Sequence, residues 1–183
     1  ALAKAHATED IPKDVSIALV APESKDVMIA RVKIYQQTGL RYLFDPAQQI
    51  PAFSGEELKR CIQGAYMLIG NDYEISLLAQ KTGLGISDLV KSVNILITTL
   101  GEEGSLIQTR EGERIEVAAV RPAQFVDPTG AGDAYRAGFV AGFLAEKSLV
   151  ECGRIASTIA SRAIEHYGAQ EHKISREEVG LPI

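Results

Sequence analysis

Cysteine is nearly absent: Cys61 and Cys152 are the only two in 183 residues. They stand far apart and outside any metal or redox spacing. That excludes a disulfide framework or a zinc module and points to a reduced, cytoplasmic setting. Long apolar runs are missing too. The longest, around Ala137–Ala145, falls well short of the ~20 residues that span a bilayer, so no membrane partner is expected. Residues Ala1–Asp10 lack the apolar core of a signal peptide. Positive charge is not in excess, with 19 Lys plus Arg against 24 Asp plus Glu and a net charge of −5. Such a surface gives no electrostatic reason for nucleic acid as the main partner. Internal repeats and low-complexity tracts are also lacking. What remains is 46% hydrophobic and 23% charged residues, a globular balance that excludes a disordered chain.

The pattern along the chain alternates strands and helices. Residues 15–20 read as a short buried strand. Ser24–Thr38 carries a rough helical stripe of apolar residues stopped by Gly39. Arg41–Phe44 reads as a strand. Ser54 then starts a helix, with Glu57 three residues on completing a capping box. A strand over 65–69 leads to a helix over Asp72–Lys81 ended by Gly83. A short helix over Ser87–Ser92 precedes a strand over 94–98. This order predicts a mostly parallel sheet flanked by helices on both faces, an α/β fold. The pattern then changes. Ser105–Thr109 and Arg114–Val120 flank Glu111-Gly112 and predict an antiparallel hairpin. Two long helices, roughly 132–146 and 149–166, finish the chain, with Gly168 placed to end the second. No linker is evident, so residues 1–183 read as a single α/β domain.

The densest chemical signal is Asp127-Pro128-Thr129-Gly130-Ala131-Gly132-Asp133, followed at once by a helical run. Small residues leave backbone N–H groups uncovered, and at a helix N-terminus such groups form an anion site. Asp133, at the head of the helix, is a carboxylate able to accept a hydroxyl proton beside that cradle. Positioning and charge stabilisation of this kind supply most of the catalysis in phosphoryl transfer. A glycine-rich turn with Asp as helix cap is the plain alternative, and composition alone favours it. Two other phosphate loops are excluded. No Gly-x-x-x-x-Gly-Lys-Ser/Thr occurs, and Tyr135 occupies the third glycine position of the dinucleotide fingerprint.

The heptapeptide resembles the C-terminal signature of the ribokinase/PfkB family of carbohydrate and nucleoside kinases. Asn71-Asp72-Tyr73-Glu74 is similar to that family's Asn-x-x-Glu motif. Thr99-Leu100-Gly101-Glu102-Glu103-Gly104 is similar to its nucleotide-site turn, and Gly168-Ala169-Gln170 to the turn after its penultimate helix. The four motifs keep the family's order and cover about residues 65–172. The resemblance implies a ribokinase-like fold and an ATP-dependent transferase that phosphorylates the hydroxymethyl group of a nucleoside or sugar. An adenosine-kinase-like member is favoured, with a fructose- or ribose-type sugar kinase as the alternative. It implies Asp133 as catalytic base and Gly130, Ala131 and Gly132 as the anion hole. Asn71 and Glu74 would organise the ATP phosphates and hydrated Mg²⁺. Thr99, Gly101 and Gly104 would line the nucleotide site, and Ser157 would contact adenine. Asp127 and Thr129, with backbone near Ala163, His166 and Gly168, would hold a monovalent cation, K⁺, in members that use one.

Each assignment has a plainer counterpart. Asn71 and Glu74 also spell a helix N-cap with an acidic third residue, and both roles can hold. Gly101 and Gly104 shape the turn into the hairpin. His6, His166 and His172 make no ligand cluster, and His166 reads as a helix-end residue. Gly138 and Gly142 form Gly-x-x-x-Gly, for which close helix packing is a sufficient account. Arg136 reads as solvated, with a substrate or phosphate role as the rarer alternative. The chain begins at Ala1 rather than Met, and the family's N-terminal signature, with its paired glycines and acceptor-gripping acid, is absent. The chain is therefore expected to be the C-terminal ATP-binding portion, lacking the lid and most of the acceptor pocket. By itself it could serve as a non-catalytic nucleotide-binding module. A parallel sheet with a bare edge invites pairing, and a homodimer is compatible with it. A nicotinamide-dependent oxidoreductase would rest on α/β architecture alone, which does not fix function.

Overall fold

The computed structural model describes Ile11, residues 14–171 and residues 173–182. Two residues of the histidine reading, His6 and His172, lie outside the described residues, as does the stretch Ala1–Asp10. The chain forms two compact units. One comprises Ala1–Thr98 with Gln108–Glu113, the other Thr99–Ile107 with Arg114–Ile183. The chain passes between them at Thr98, Ile107 and Glu113. These crossings lie in or beside strands, which is why no linker-like composition marks the division.

In the first unit β1 (Ala18–Val20), β2 (Tyr42–Phe44) and β3 (Met67–Asn71) run parallel, with Val20 paired to Phe44 and Phe44 to Leu68. The strand over 95–99, β4, follows. The connections are α1 (Lys25–Thr38), α2 (Gly55–Ile62), α3 (Asp72–Thr82) and α4 (Ile86–Ser92). A strand buried on both faces needs an unbroken apolar run, which Tyr42-Leu43-Phe44 and Met67-Leu68-Ile69 provide. Val20, Phe44, Ile50, Leu58, Ile62, Leu68, Ile75, Leu78 and Leu96 build one buried cluster.

The helix termini follow local chemistry. Ser54 Oγ accepts the Glu57 N–H at 3.2 Å while Glu57 Oε2 accepts the Ser54 N–H at 2.7 Å, the capping box foreseen from the sequence. Gly39 and Gly83 close α1 and α3 in the left-handed region. The first two strands are shorter than their apolar patterns, while β3 and β4 keep five residues and begin two residues and one residue later than expected. The first covers Ala18–Val20 rather than 15–20, because pairing begins only where Arg41 C=O accepts the Ala18 N–H.

Strands β5 (Ser105–Thr109) and β6 (Arg114–Val117) complete a six-stranded sheet of order β1-β2-β3-β4-β5-β6, antiparallel across its last three strands. The expected hairpin forms, with the Gly112 N–H donating to Thr109 C=O at the turn. Its second strand stops at Val117, three residues before the expected Val120. The second unit adds α5 (Ala131–Leu144) and α6 (Leu149–Ile164). Gly168 does not end α6. That helix closes at Glu165, and Gly168 sits beyond it in a turn with φ +87°. The two helices pack closely: a Cβ on Gly138 would lie 2.8 Å from Ala156 Cα, and one on Gly142 would lie 3.1 Å from Cys152 Cα. The Gly-x-x-x-Gly spacing thus serves helix packing.

Candidate active site

The loop that leads into α5 is held from the far end of α6. The N–H groups of Val126 and Asp127 both donate to Ile164 C=O, at 3.0 and 3.1 Å. Asp127 Oδ1 accepts the Thr129 N–H at 2.9 Å, and Oδ2 accepts the Gly168 N–H at 3.0 Å. The Thr129 side chain, the Thr129 N–H and the Gly168 N–H hold the Asp127 carboxyl below its ordinary value. Glu165 is held low in the same way, first by the Ala123 N–H and then by Arg162. Three loop N–H groups therefore rest on the C-terminal end of α6, two on the Ile164 carbonyl and one on the Glu165 carboxylate.

Gly130 caps α5 with φ +83°, and a Cβ there would also lie 2.7 Å from the Ala169 Cβ. Glycine is required on both counts. The Ala131 N–H turns back to Pro128 C=O, and the Ala134 N–H donates to Gly130 C=O. Between them, the N–H groups of Gly132 and Asp133 have no acceptor among the described residues. Nothing lies within 4 Å of a Cβ built on Gly132. The open donors are thus those of Gly132 and Asp133, while that of Ala131 is engaged. They sit at the positive end of a 14-residue helix, the setting that favours an anion.

Asp133 stands in the first turn of α5 with its side chain 70% exposed. Its Oδ1 accepts from the Arg136 guanidinium, whose side chain is only 11% exposed. Arg136 is therefore not a solvated residue: burial pushes its guanidinium pKa down, and Asp133 lies against it. Tyr135 points the other way, its buried hydroxyl 2.6 Å from Ser105 Oγ. That contact ties the head of α5 to the first residue of β5. No sequence pattern announced it, because the partners lie 30 positions apart.

The nucleotide-turn residues occupy the link from β4 to β5. Thr99 ends β4, and the Leu100 N–H donates to Gly104 C=O at 2.8 Å. Gly101 and Gly104 have φ +58° and +102°. Gly101 is exposed and Gly104 is buried, with a Cβ on Gly104 meeting the Val117 carbonyl. Ser157, expected at adenine, is 6% exposed. It accepts the Val120 N–H at 2.8 Å and donates to Ala118 C=O at 3.4 Å. Its hydroxyl thereby fastens the segment that follows β6. Ala163 C=O accepts the His166 N–H at 3.2 Å, and His166 Nδ1 lies 2.9 Å from Arg162 C=O.

Asn71 and Glu74 belong to the first unit, at the carboxyl end of β3. They form a reciprocal capping box, with Asn71 Oδ1 accepting the Glu74 N–H and Glu74 Oε2 accepting the Asn71 N–H, each at 2.8 Å. The Asn71 amide nitrogen and the second Glu74 oxygen have no further partner among the described residues. Among the described residues no group of three His, Cys, Asp or Glu side chains is placed to hold a metal. The same unit has a hollow of about 520 Å³ lined by residues that include Tyr35, Arg41, Arg60, Tyr66 and Asn94. Arg41, Tyr66 and Asn94 precede β2, β3 and β4, so this hollow lies at the amino ends of the strands, opposite Asn71. The C-terminal ends of α1 and α2 border it, and Arg41, stacked 5.2 Å over the Tyr66 ring, offsets their negative dipole ends.

The profile of the pfkB family carbohydrate kinases matches residues 13–176. The chain belongs to the pfkB family of carbohydrate kinases. Within that family it is similar to the nucleoside kinase of Methanocaldococcus jannaschii, with 36% identity over 69% of this chain and 42% of that protein. The structure of Burkholderia thailandensis nucleoside kinase in complex with inosine superposes with a TM-score of 0.90 at 36% identity, covering 95% of this chain and 56% of the other. The fold is shared with adenosine kinase of Sinorhizobium meliloti, at a TM-score of 0.72 and 21% identity. The chain spans about half the length of the relatives it matches. The ribokinase-like fold and the family read from the four motifs are thus both borne out. The matched span takes in the Asp127–Asp133 loop, the nucleotide turn and the Asn71–Glu74 box alike.

Proposed function

We propose that this pfkB chain carries the ATP side and the base of a kinase that phosphorylates a primary alcohol of a nucleoside, with a sugar such as ribose or fructose as the second acceptor class. The observation that carries the reading is the exposed Asp133 carboxylate beside the open N–H groups of Gly132 and Asp133. The acceptor O–H bond breaks and its proton passes to Asp133. The freed oxygen bonds to the γ-phosphorus. The bond from that phosphorus to the bridging oxygen breaks, and its electron pair leaves with ADP. The open N–H groups of the loop take the charge that gathers on the equatorial oxygens.

Asn71 and Glu74 suit a hydrated Mg²⁺, because an ion that keeps its waters needs outward oxygens rather than a protein cage. When bound, Mg²⁺ neutralises charge on the ATP phosphates. The Asp127 carboxylate accepts the Thr129 N–H on one oxygen and the Gly168 N–H on the other, and the Thr129 side chain hydrogen-bonds to it as well. That leaves a lone pair suited to K⁺, together with Thr129 and the backbone at Ala163, His166 and Gly168. Thr99, Gly101 and Gly104 would border the nucleotide. The role we assign to Ser157 is to hold the 118–120 backbone near it. Two buried free thiols, Cys61 and Cys152, suit a reducing cytoplasm.

The structure solved with inosine supports a purine nucleoside as first acceptor to test. A coupled ADP-release assay should show turnover with inosine or adenosine above ribose and fructose. Asp133→Asn should lower kcat by about 10²–10⁴-fold and leave ATP affinity unchanged. Retained turnover in that variant would remove Asp133 as the base. ATP binding without turnover on any acceptor would instead favour a non-catalytic nucleotide-binding module.

A further inference from the structure

We propose that Tyr135 and Ser105 are a positioning pair that sets the placement of the Asp133 base against the nucleotide turn. The inference rests on the reading of Thr99–Gly104 as that turn and of Asp133 as the base. Both residues belong to the second unit. Ser105 opens β5 and directly follows Gly104, the last residue of the turn. Tyr135 stands in α5, two residues after Asp133. Their hydroxyl oxygens lie 2.6 Å apart, inside the range of an O–H···O hydrogen bond. The contact thus joins the segment that follows the nucleotide turn to the head of the helix that carries the base.

Packing alone does not call for these hydroxyls. Ser105 is 2% exposed and Tyr135 6%. Alanine and phenylalanine would fill nearly the same space, and a buried hydroxyl pair adds little net stability over such an apolar pair. Burial raises the Tyr135 hydroxyl pKa, so the contact stays neutral and phenylalanine is its close isostere. What the hydroxyls add is specificity, because a satisfied buried hydrogen bond holds strand and helix in one relative placement. That placement governs the base. Residues two apart on a helix do not share a face, and Tyr135 is buried while the Asp133 side chain is 70% exposed. Holding the buried side sets the direction of the exposed one. Helix side chains reach about 5–6 Å from the axis, so a roll of about 10° moves the carboxylate ~1 Å. A misplacement of that size costs about 10²-fold in rate. The loop itself has separate supports, with Gly130 against Ala169 and the Val126 and Asp127 N–H groups on Ile164 C=O. Cutting the tie therefore leaves the anion loop built and disturbs its placement.

The test uses the full polypeptide that carries this chain. Tyr135→Phe and Ser105→Ala each remove the tie from one side, and the double variant removes both hydroxyls. Each single variant should lower kcat by about 10–10²-fold. KM for ATP, and ATP affinity by calorimetry, should stay within about threefold, since turn and base are both intact and only their placement is lost. Melting temperature supplies the contrast. Each single variant leaves one buried hydroxyl unpaired and should melt a few degrees below the parent, and the double variant should recover most of that difference. Its kcat should nevertheless stay as low as that of the single variants. An unchanged kcat in Tyr135→Phe, or in Ser105→Ala where the first variant does not fold, overturns the proposal. So does a kcat that returns with the melting temperature in the double variant, because the pair is then a packing element only. A loss of ATP affinity as large as the loss of kcat overturns it too, since the turn itself has then failed. An unmodified polypeptide without phosphotransfer would defeat the kinase reading and this inference with it. An active one that is indifferent to Tyr135 and Ser105 defeats this inference only.

Discussion

Asp127 carries more of the loop than its place in a glycine-rich motif suggests. Each carboxylate oxygen holds a different backbone N–H, one at Thr129 and one at Gly168. The hydrogen bonds favour the charged form and push its pKa below the ordinary 3.8. A depressed carboxylate adds stability that is complete above its unfolded value. That contribution is lost as the pH falls from about 3.8 through the lower folded value. Asp127→Asn should therefore melt below the parent at pH 7 and converge with it in acid. Melting curves of the two proteins between neutral and strongly acidic pH would check this. A gap that stays constant across the range would mean the carboxylate's charge is irrelevant. At the same scale, Arg136 was misread from the sequence. An Arg at a nominally exposed helix position looks solvated, and only packing reveals that it is buried.

At the scale of elements, the crossing of α5 and α6 sets where the anion loop can stand. The loop enters α5, and its backbone hangs from the C-terminal end of α6. The two helices come close through Gly138 against Ala156 and Gly142 against Cys152. Gly138→Val would force branched carbons into the Ala156 backbone, with a cost of about 1–3 kcal/mol or more from overpacking. The neighbouring exposed position, Ala137→Val, should cost only about 0.5 kcal/mol. Urea unfolding of both variants gives the comparison, and equal costs would mean the helices separate without penalty. The capping boxes at Ser54 and Asn71 were legible because they depend on residues three apart. The end of α6 was not. Gly168 looked like a helix stop, yet its N–H is drawn to Asp127, 41 positions away.

For the whole molecule, β1 forms one end of the six-stranded order. It is only three residues long, and Leu19 in it is 41% exposed. Among the described residues nothing pairs with its outer side, and a parallel strand with an exposed apolar residue at such an edge is a template for another chain. The 183-residue chain should self-associate in sedimentation, and Leu19→Lys should shift it toward monomer, since a charge on an edge strand opposes pairing. A parent protein that already sediments as a monomer contradicts this.

Sequence alone determined what neighbours along the chain decide: alternation of strands and helices, caps, the hairpin turn, and the small-residue loop before Asp133. These depend on backbone sterics and hydrogen bonds reaching a few residues, so their signal is local. The motif order was also enough for the family. Tertiary structure decided which donors in that loop stay open, that Arg136 is buried against Asp133, that Ser105 meets Tyr135, and that Gly130 must clear Ala169. Contacts across tens of residues form only when apolar faces pack, and a chain read one residue after another does not state which faces will meet.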